Sequence, residues 1–178
     1  IDSHFLSFPN AVLAKQNGEP SFSNASHLVV VEAKHPREQR MLRASDLGVD
    51  MPEEQRYKEM DAFVCLDQSG KPVLHDQASG PAQIFVDTVL TVGGKEVQVK
   101  SSLQLLKEEA MRLDLPAYAA ACGISAETLA GLAKELSSHG KKASVIAHGV
   151  MMSGSGFYNA YALLSINALL GNINWKGG

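Results

Sequence analysis

The sequence contains little of several features that would assign a protein to a class at once. It has two cysteines, Cys65 and Cys122, and neither has a partner at the spacing of a metal or redox motif. We therefore interpret both as small buried side chains. No apolar run approaches the roughly 20 residues that a membrane-spanning helix needs, and no signal peptide is evident.

The charge balance argues against a nucleic-acid partner. Lys and Arg number 16 and Asp and Glu number 19, so the net charge is −3 and no basic footprint is present. The hydrophobic share of 45% and the charged share of 20% are typical of a folded globular protein. A chain of 178 residues is long enough to bury the core of one ordinary domain.

The ends of the sequence favour a piece of a longer polypeptide. The chain begins at Ile1 without an initiator methionine and stops at Gly178, directly after an apolar helical pattern. We therefore expect one partial α/β domain over 1–178. Its part over 61–100 is expected to be rich in hairpins, and its part over 101–178 to run helix, strand, helix.

Alternating apolar residues in the first half predict strands joined by tight turns. Gly70 and the pair Gly93-Gly94 supply the turn residues of two hairpins. His75 and Asp76 would form a catalytic dyad only on one face, whereas neighbours on a strand face opposite ways. The strands are predicted over 27–31, 62–66, 73–75, 83–92 and 95–99, and a polar connector over 50–60.

The second half has the periodicity of helices. Leu129, Leu132 and Leu136 form one apolar stripe, which follows the capping residue Ser125. The last helix is apolar on most sides, so we expect it to be buried on most sides, with its end at Gly171. Helices are predicted over 103–113, 117–122, 125–139 and 157–170.

The stretch from Ala143 onwards is predicted to carry the functional site. The run Ala143 to Ala147 is short, apolar and β-branched at its centre, which predicts a buried strand. In an α/β sheet the end of such a strand and the start of the next helix face one crevice, where free N–H groups favour an anionic or polar ligand. The predicted fold class is therefore α/β, a Rossmann-like parallel-sheet portion with a β-hairpin insertion.

The glycine-rich loop 148–156 does not match the common nucleotide motifs. Gly149, Gly154 and Gly156 do not complete a GxGxxG pattern, because Asn159 stands where the third glycine belongs. No Gly-Lys-Ser/Thr follows either. A plain tight connection therefore remains an alternative to a ligand-binding loop.

Two stretches of the second half resemble a known family. Residues 123–135 resemble a helix of the form G-[IV]-xx-E-x-[IL]-xx-L-A-x-E, and residues 162–178 resemble the L-N-A-L-x-G-N-I-x-x-x-G-G motif of the molybdopterin oxidoreductases, the dimethyl-sulfoxide-reductase superfamily. Taken together the two motifs are specific. Further pieces are similar to the sulfur-oxyanion reductases of that superfamily, whose relatives include polysulfide, thiosulfate and arsenate reductases; they lie at 24–29, 42–48, 62–64, 99–107 and 156–162.

The resemblance implies an oxidoreductase with several redox groups. It implies a catalytic subunit with a molybdenum bis-molybdopterin guanine dinucleotide centre and a 4Fe-4S cluster, which reduces a sulfur oxyanion during anaerobic respiration. The partners implied are an iron–sulfur electron-transfer subunit and a membrane anchor subunit, and the location implied is the periplasm after export in the folded state. The ligands of the metal and of the cluster are expected outside this segment, so no catalytic residue is assigned here and the isolated segment is expected to be inactive.

The resemblance also implies which loop lies at the site. In relatives the loop after this strand approaches the molybdenum and the pterin. Met151 and Met152 stand where some relatives carry charge, and would give the substrate pocket a soft wall suited to sulfur. Core packing is the alternative for both, and a satisfied buried imidazole is the alternative for His148. The residues expected to contact the cofactor are His148, Gly149, Val150, Ser153 and Gly154.

Two functions of other classes stay open. An independent α/β module would bind a nucleotide through the loop 148–156, and saturable binding of NAD or ATP would support it. A purely structural piece would contact sister subunits through the hairpins 62–75 and 84–99. Exposed apolar faces on those hairpins would support that function.

Overall fold

The computed structural model describes residues 1–49, 61–152 and 154–176, so the polar connector predicted over 50–60 lies outside the described residues. The helices are α1 (Ser3–Leu6), α2 (Ala11–Gln16), α3 (Ser102–Ala110), α4 (Leu115–Cys122), α5 (Ala126–Ser138) and α6 (Gly156–Leu170). The strands are β1 (Leu28–Val30), β2 (Val64–Leu66), β3 (Pro72–Leu74), β4 (Asp87–Val92) and β5 (Lys95–Ser101). The mixture of helix and strand confirms the predicted α/β class.

The strands of the described residues pair in antiparallel fashion. β5 lies between β1 and β4, and β2 pairs with β3, which confirms both predicted hairpins. Isolated bridges from Val29 to Met41 and from Arg43 to Phe63 connect β1 towards β2 through the stretch 41–43. The sheets of the described residues are thus small and antiparallel, where the sequence predicted a parallel portion.

The stretch Ala143 to Ala147 is not a strand, contrary to the prediction. The Asn167 amide instead accepts a hydrogen bond from the Val145 N–H at 2.8 Å and donates one to the Val145 carbonyl at 2.9 Å. The Asn172 amide donates to the Ala143 carbonyl. Two side-chain amides therefore satisfy peptide groups that a neighbouring strand would otherwise satisfy.

The buried core lies mainly in the first 103 residues. Its largest cluster joins the strands and consists of Leu28, Val30, Leu42, Val64, Leu66, Val86, Val92, Val97 and Val99. A second cluster, Phe5, Leu6, Ala25 and Leu103, is joined by Leu169 and Ile173 from the end of the chain. After residue 110, the buried apolar residues among those described are Ala119, Ala147 and Ala160.

Helix α6 is largely exposed, contrary to the prediction that it is buried on most sides. Gly156 and Ala160 are its buried residues, whereas Phe157 is 72% exposed. The helix carries no charged side chain. Its composition is that of a buried helix, and the described part of this chain covers only a small share of its surface.

The two cysteines differ in burial. Cys65 is buried in β2, as predicted, and desolvation, followed by the charge of Asp67, raises the pKa of its thiol to about 12. Cys122 is exposed, so the prediction that it is buried is wrong. It ends α4, a helix in which Ala119 is the buried residue, so this helix offers no interior for its last side chain.

The predicted helix ends are largely confirmed. The Ser125 hydroxyl accepts the Thr128 N–H at 3.1 Å and caps α5. Gly123 and Gly171 end α4 and α6 with φ of 70° and 68°, the left-handed conformation that a helix stop uses.

Candidate cofactor-facing loop

The candidate site is the loop between Ala147 and helix α6. His148 lies in a turn, Gly149–Met152 form a short 3-10 helix, and Gly154 leads through a second turn into α6. Ser153 and the side chain of Val150 lie outside the described parts of the chain. The loop thus carries His148, Met151 and Met152 on one short exposed stretch of chain.

The side chains of this loop are exposed. Met151 is 60% and Met152 88% exposed, and His148 is exposed as well. Core packing within the described chain therefore does not explain the two methionines, and His148 is not a buried imidazole. An open face is present where the sequence predicted contacts with a cofactor, although those contacts themselves stay predictions.

The loop glycines are not required by the conformation of the chain itself. A Cβ built on Gly149 or Gly154 would meet no atom within 4 Å. Neither glycine has a positive φ. A requirement for glycine at these positions would therefore come from a group outside the described residues that approaches the backbone closely.

The first turn of α6 opens beside the loop. The side chain of the N-cap residue Ser155 does not cap a backbone N–H of that turn, and its hydroxyl instead accepts a hydrogen bond from the Asn159 amide at 3.2 Å. The turn contains no acidic residue. The N–H groups at the start of an α-helix lack intrahelical partners and carry partial positive charge. They are compatible with an anionic group, although a helix end alone does not define a ligand.

A buried charge cluster holds the chain just before the candidate loop. Both carboxylate oxygens of Glu19 lie 2.5 Å from Nζ of Lys141, and Oδ2 of Asp2 lies 3.2 Å from it. The ammonium group also lies 4.6 Å from the ring centroid of Trp175. Glu19 is buried and therefore depends on this partner. The cluster joins the first residues, the loop after α2 and the segment after α6.

The residues that position the loop were not predicted from the sequence. Lys141 and Glu19 are separated by 122 positions, and no local pattern connects them. Asn167 and Asn172 lie in the stretch 162–178, for which the sequence predicted a helix, its end and a family motif, but no partner for either amide. The presence of two amide side chains in a nearly uncharged helical stretch was the one hint in the sequence. Amide groups need hydrogen-bond partners when they are buried, so their presence indicates a polar contact.

A second group of side chains, the two imidazoles of His27 and His75 and the ring of Phe63, lies in the packed region. The His27 ring stacks on Phe63 at 4.9 Å between centroids and meets the edge of His75 at 5.1 Å. Nδ1 of His75 accepts the Phe63 N–H at 3.0 Å. Burial first, and then the nearby His75, lower the pKa of His27 to about 4, so its ring is neutral at pH 7. This group belongs to the core around β2 rather than to the loop.

The described residues contain no ready-made metal centre or membrane span. In the described ranges, no three His, Cys, Asp or Glu side chains are arranged to hold a metal ion. Likewise, none of the helices described combines the length and apolarity that crossing a bilayer requires.

Comparison with known proteins gives the class first. No model of a protein family matches the chain. The chain is nevertheless similar, over 99% of its length, to segments of three curated reductase subunits. These relatives confirm the resemblance to the molybdopterin oxidoreductases.

The particular relatives are larger than this chain. The A subunit of the tetrathionate reductase of Salmonella typhimurium strain LT2 is 36% identical, with 17% of its length matched. The A subunit of the selenate reductase of Mesobacillus selenatarsenatis is 37% identical, with 16% matched. The A subunit of the tetrathionate reductase of Archaeoglobus fulgidus is 32% identical, with 14% matched. The chain therefore spans about a sixth of the length of the curated relatives it matches.

Proposed function

We propose that this chain is a segment of the catalytic subunit of a molybdenum-dependent reductase, and that its loop 148–154 lies against the cofactor and the substrate. The observation that carries this proposal is the identity of 32–37% over 99% of the chain to reductase subunits. The exposed loop supports the second half, because Met151 and Met152 are 60% and 88% exposed within the described chain.

Tetrathionate is the substrate that we favour. Two of the three relatives carry its name, and the third is named a selenate reductase. Two electrons break the central S–S bond of tetrathionate and yield two thiosulfate ions. The thioethers of Met151 and Met152 are polarizable and uncharged, so they would accept sulfur atoms beside them without repelling an anion. Reduction of selenate, another sulfur oxyanion, polysulfide or arsenate is the second candidate.

The described residues offer no metal-ligand set of their own, so contacts of this chain with the cofactor would be with its organic part. His148 would donate a hydrogen bond to a pterin or substrate oxygen. Gly149 and Gly154 would leave room for close approach, since the space before each of them is open. When bound, a molybdenum bis-molybdopterin guanine dinucleotide supplies the two-electron chemistry, and the residues of this chain would orient it and shape the pocket.

The complete subunit would need an electron supply. We propose that it carries a 4Fe-4S cluster whose ligands lie outside this chain. Electrons would reach it from an iron–sulfur subunit bound to a membrane anchor subunit, and the complex would act in the periplasm. The family resemblance supports these proposals, and the two tetrathionate reductase relatives are named as subunits of larger enzymes.

The test uses the complete subunit that contains this segment. Its molybdenum content and its reduction of tetrathionate and of selenate would be measured side by side. Replacement of Met151 and Met152 by Asp is expected to lower tetrathionate turnover by at least about tenfold, which is a rise of about 1.4 kcal/mol in the barrier, with molybdenum content unchanged. Met111→Asp is the matched control, since Met111 is exposed at 70% but lies outside the loop.

Two outcomes would count against different parts of the proposal. Unchanged turnover of the double variant, with normal molybdenum content, would refute the pocket role of the methionines. A complete subunit without molybdenum, or without any of these reductions, would refute the class. Saturable binding of NAD or ATP by the isolated chain would instead favour a nucleotide-binding module.

A contact role for the hairpins is also supported by one observation. Phe85 and Val89 in the stretch 84–99 are both close to half exposed. Exposed apolar side chains on a hairpin are compatible with a contact to a sister subunit. This contact would accompany the reductase function rather than replace it.

A further inference from the structure

We infer that Met151 and Met152 form a modification site, at which a peroxide converts the two thioethers to sulfoxides and thereby reversibly lowers substrate turnover by the complete subunit. The inference rests on the proposed function, because it takes the loop 148–154 to line the substrate pocket. It goes beyond that function by naming a covalent change that controls the pocket and the class of oxidant that causes it.

The two thioethers are accessible in the described chain. Met151 is 60% exposed and Met152 is 88% exposed. Met111, which is 70% exposed at the end of α3, is the one other described methionine with comparable exposure, since Met41 is half-buried. Sulfur that solvent reaches is the sulfur that a small oxidant reaches, so the loop carries two of the three readily oxidised methionines in the described part of the chain.

The proposed function requires the same accessibility in the complete subunit. If the two methionines line a pocket that admits tetrathionate, the pocket also admits hydrogen peroxide, which is much the smaller molecule. A segment of the longer chain that covered both sulfur atoms would also close this wall to the substrate. Exposure to peroxide therefore follows from the pocket role and not only from the length of the segment.

The reaction needs the peroxide alone as its oxidant. A lone pair of the thioether sulfur attacks one peroxide oxygen, the S–O bond forms and the O–O bond breaks. The leaving hydroxide takes up the proton of the transferred oxygen and departs as water. The sulfur loses two electrons and the peroxide gains them, and methionine sulfoxide reductases reverse the change with electrons from a thiol reductant.

The sulfoxide changes the wall that an anionic substrate meets. A thioether is polarizable and uncharged, whereas a sulfoxide is polar and chiral, and its oxygen carries partial negative charge. No Lys or Arg occurs between Ala143 and Tyr158 to offset that charge. Oxidation should therefore weaken the binding of a sulfur oxyanion, which predicts a higher KM with a smaller change in kcat.

The cysteines do not provide the same control of the loop. Cys65 is buried, and the raised pKa of its thiol, about 12, keeps it protonated, whereas the thiolate is the form that peroxide oxidises. Cys122 is exposed but ends α4, outside the loop 148–154. Its oxidation is followed on its own peptide and is the same in each of the methionine variants.

The experiment treats the complete subunit with hydrogen peroxide and follows the chemistry and the kinetics together. Peptide mass spectrometry should show one added oxygen on each of Met151 and Met152. The KM for tetrathionate should rise by about threefold to tenfold, the range expected when a favourable sulfur contact is lost. Methionine sulfoxide reductases with a thiol reductant should remove both oxygens and restore the KM.

A double variant separates the methionines from damage to the redox groups. Met151→Leu with Met152→Leu keeps apolar side chains of similar volume and removes both sulfur atoms. Each chain is compared with its own untreated form, so a change in basal activity does not affect the result. Peroxide should leave the KM of the double variant unchanged. Met111→Leu is the matched control and should respond as the parent does, because its methionine is equally exposed but lies outside the loop.

Three results would overturn the inference. The first is a complete subunit in which Met111 is oxidised while Met151 and Met152 are not. The second is full oxidation of both methionines with an unchanged KM. The third is an equal response of the parent and the double leucine variant, or a loss that the sulfoxide reductases do not reverse. Failure of the proposed function is a separate result, since missing molybdenum or missing reduction is measured in the untreated subunit before any oxidant is added.

Discussion

The apolar side chains of the region before residue 110 are more deeply buried than those of the region after it. In the first, valines and leucines are buried in clusters around the strands. In the second, the buried apolar residues among those described are three alanines, while Leu132, Phe157 and Tyr161 are exposed. The predicted hairpins form in the first region and the predicted helices form in the second, whereas the strand predicted over 143–147 does not. Local pattern therefore specifies the hairpins and helices. Burial additionally depends on which other elements are within reach.

The difference also explains how the candidate loop is placed. The Lys141 cluster and the Asn167 amide hold the chain around 141–145 against packed residues. The next residues, His148 to Met152, have exposed side chains where they are described. A loop that is held at its base and open at its tip is suited to meet a group that the segment itself does not supply.

The largest contrast is expected between two leucine truncations. Leu28 is fully buried, so Leu28→Ala should lower the free energy of unfolding by about 2–5 kcal/mol. Leu132→Ala in the isolated chain should cost less than about 1 kcal/mol, because the side chain is already half exposed. Urea titration of the isolated chain measures both values. If both variants lost a similar amount of unfolding free energy, the second region would have a buried core of its own. The contrast in burial between the two regions would then be wrong.

Sequence reasoning predicted the elements better than their surroundings. The hairpin signals at Gly70 and Gly93 and the caps at Ser125 and Gly171 depend on neighbouring residues, and the structure confirms each of them. The strand over 143–147 failed because a strand needs a neighbour, and amide side chains take that place here. The prediction that α6 is buried failed for the same reason. Its apolar composition shows that the helix needs an apolar environment, and the described chain covers only a small share of its surface.

The candidate site was predictable only in part. The loop 148–154 was proposed from a strand-loop-helix pattern, whose strand does not form, and from the family resemblance. Its exposure agrees with an outward role, and its contacts with a cofactor stay a prediction. The residues that hold it did not follow, because Asp2, Glu19 and Lys141 meet only in the folded chain. Long-range pairing of charges leaves no local periodicity from which it can be predicted.

Acid should destabilise the packed region through His27. Burial lowers the pKa of this imidazole from 6.5 to about 4, so the unfolded chain binds a proton more readily than the folded one below pH 6.5. The free energy of unfolding should therefore fall as the pH drops from about 6.5 towards 4, by up to about 3 kcal/mol from this group. Urea titrations at pH 7, 6, 5 and 4 measure the slope.

A variant that lacks the His27 imidazole shows how much of the pH dependence of the free energy of unfolding comes from this group. His27→Phe keeps a ring beside Phe63 and removes the titrating group. Its pH dependence between 6.5 and 4 should be shallower than that of the parent chain. The groups around His27 are His75, Arg43 and the Pro9 carbonyl, and they are unchanged in the variant. Identical slopes in both chains would assign the acid sensitivity elsewhere.

The Lys141 cluster should connect the two regions energetically. Lys141→Met removes the cation from buried Glu19, so the free energy of unfolding should fall by roughly 2 kcal/mol. Lys142→Met is the matched control, since Lys142 is the exposed neighbour and should have little effect. Thermal unfolding of the two variants gives the comparison. Equal stability of the two variants would mean that the cluster does not connect the two regions energetically.

The smallest contrast is expected between two glycines, and it tests the candidate site most directly. Gly171 ends α6 with φ of 68°, and a Cβ there would lie 2.8 Å from Oδ2 of Asp2. Asp2 cannot withdraw freely, because its carboxylate also accepts the Phe5 N–H and contacts Lys141. Gly171→Ala should therefore lower the free energy of unfolding by about 1–2 kcal/mol.

Gly149→Ala should have almost no effect on the stability of the isolated chain, because the backbone is not left-handed there and the space is open. In the complete subunit, the same methyl group would stand between the backbone and any cofactor that approaches it. Retained folding together with reduced molybdenum content or turnover would then show that glycine is needed for what binds at this position. Full activity of the Gly149→Ala subunit would mean that nothing approaches the backbone at this position, and the loop would lose its assignment as a cofactor contact.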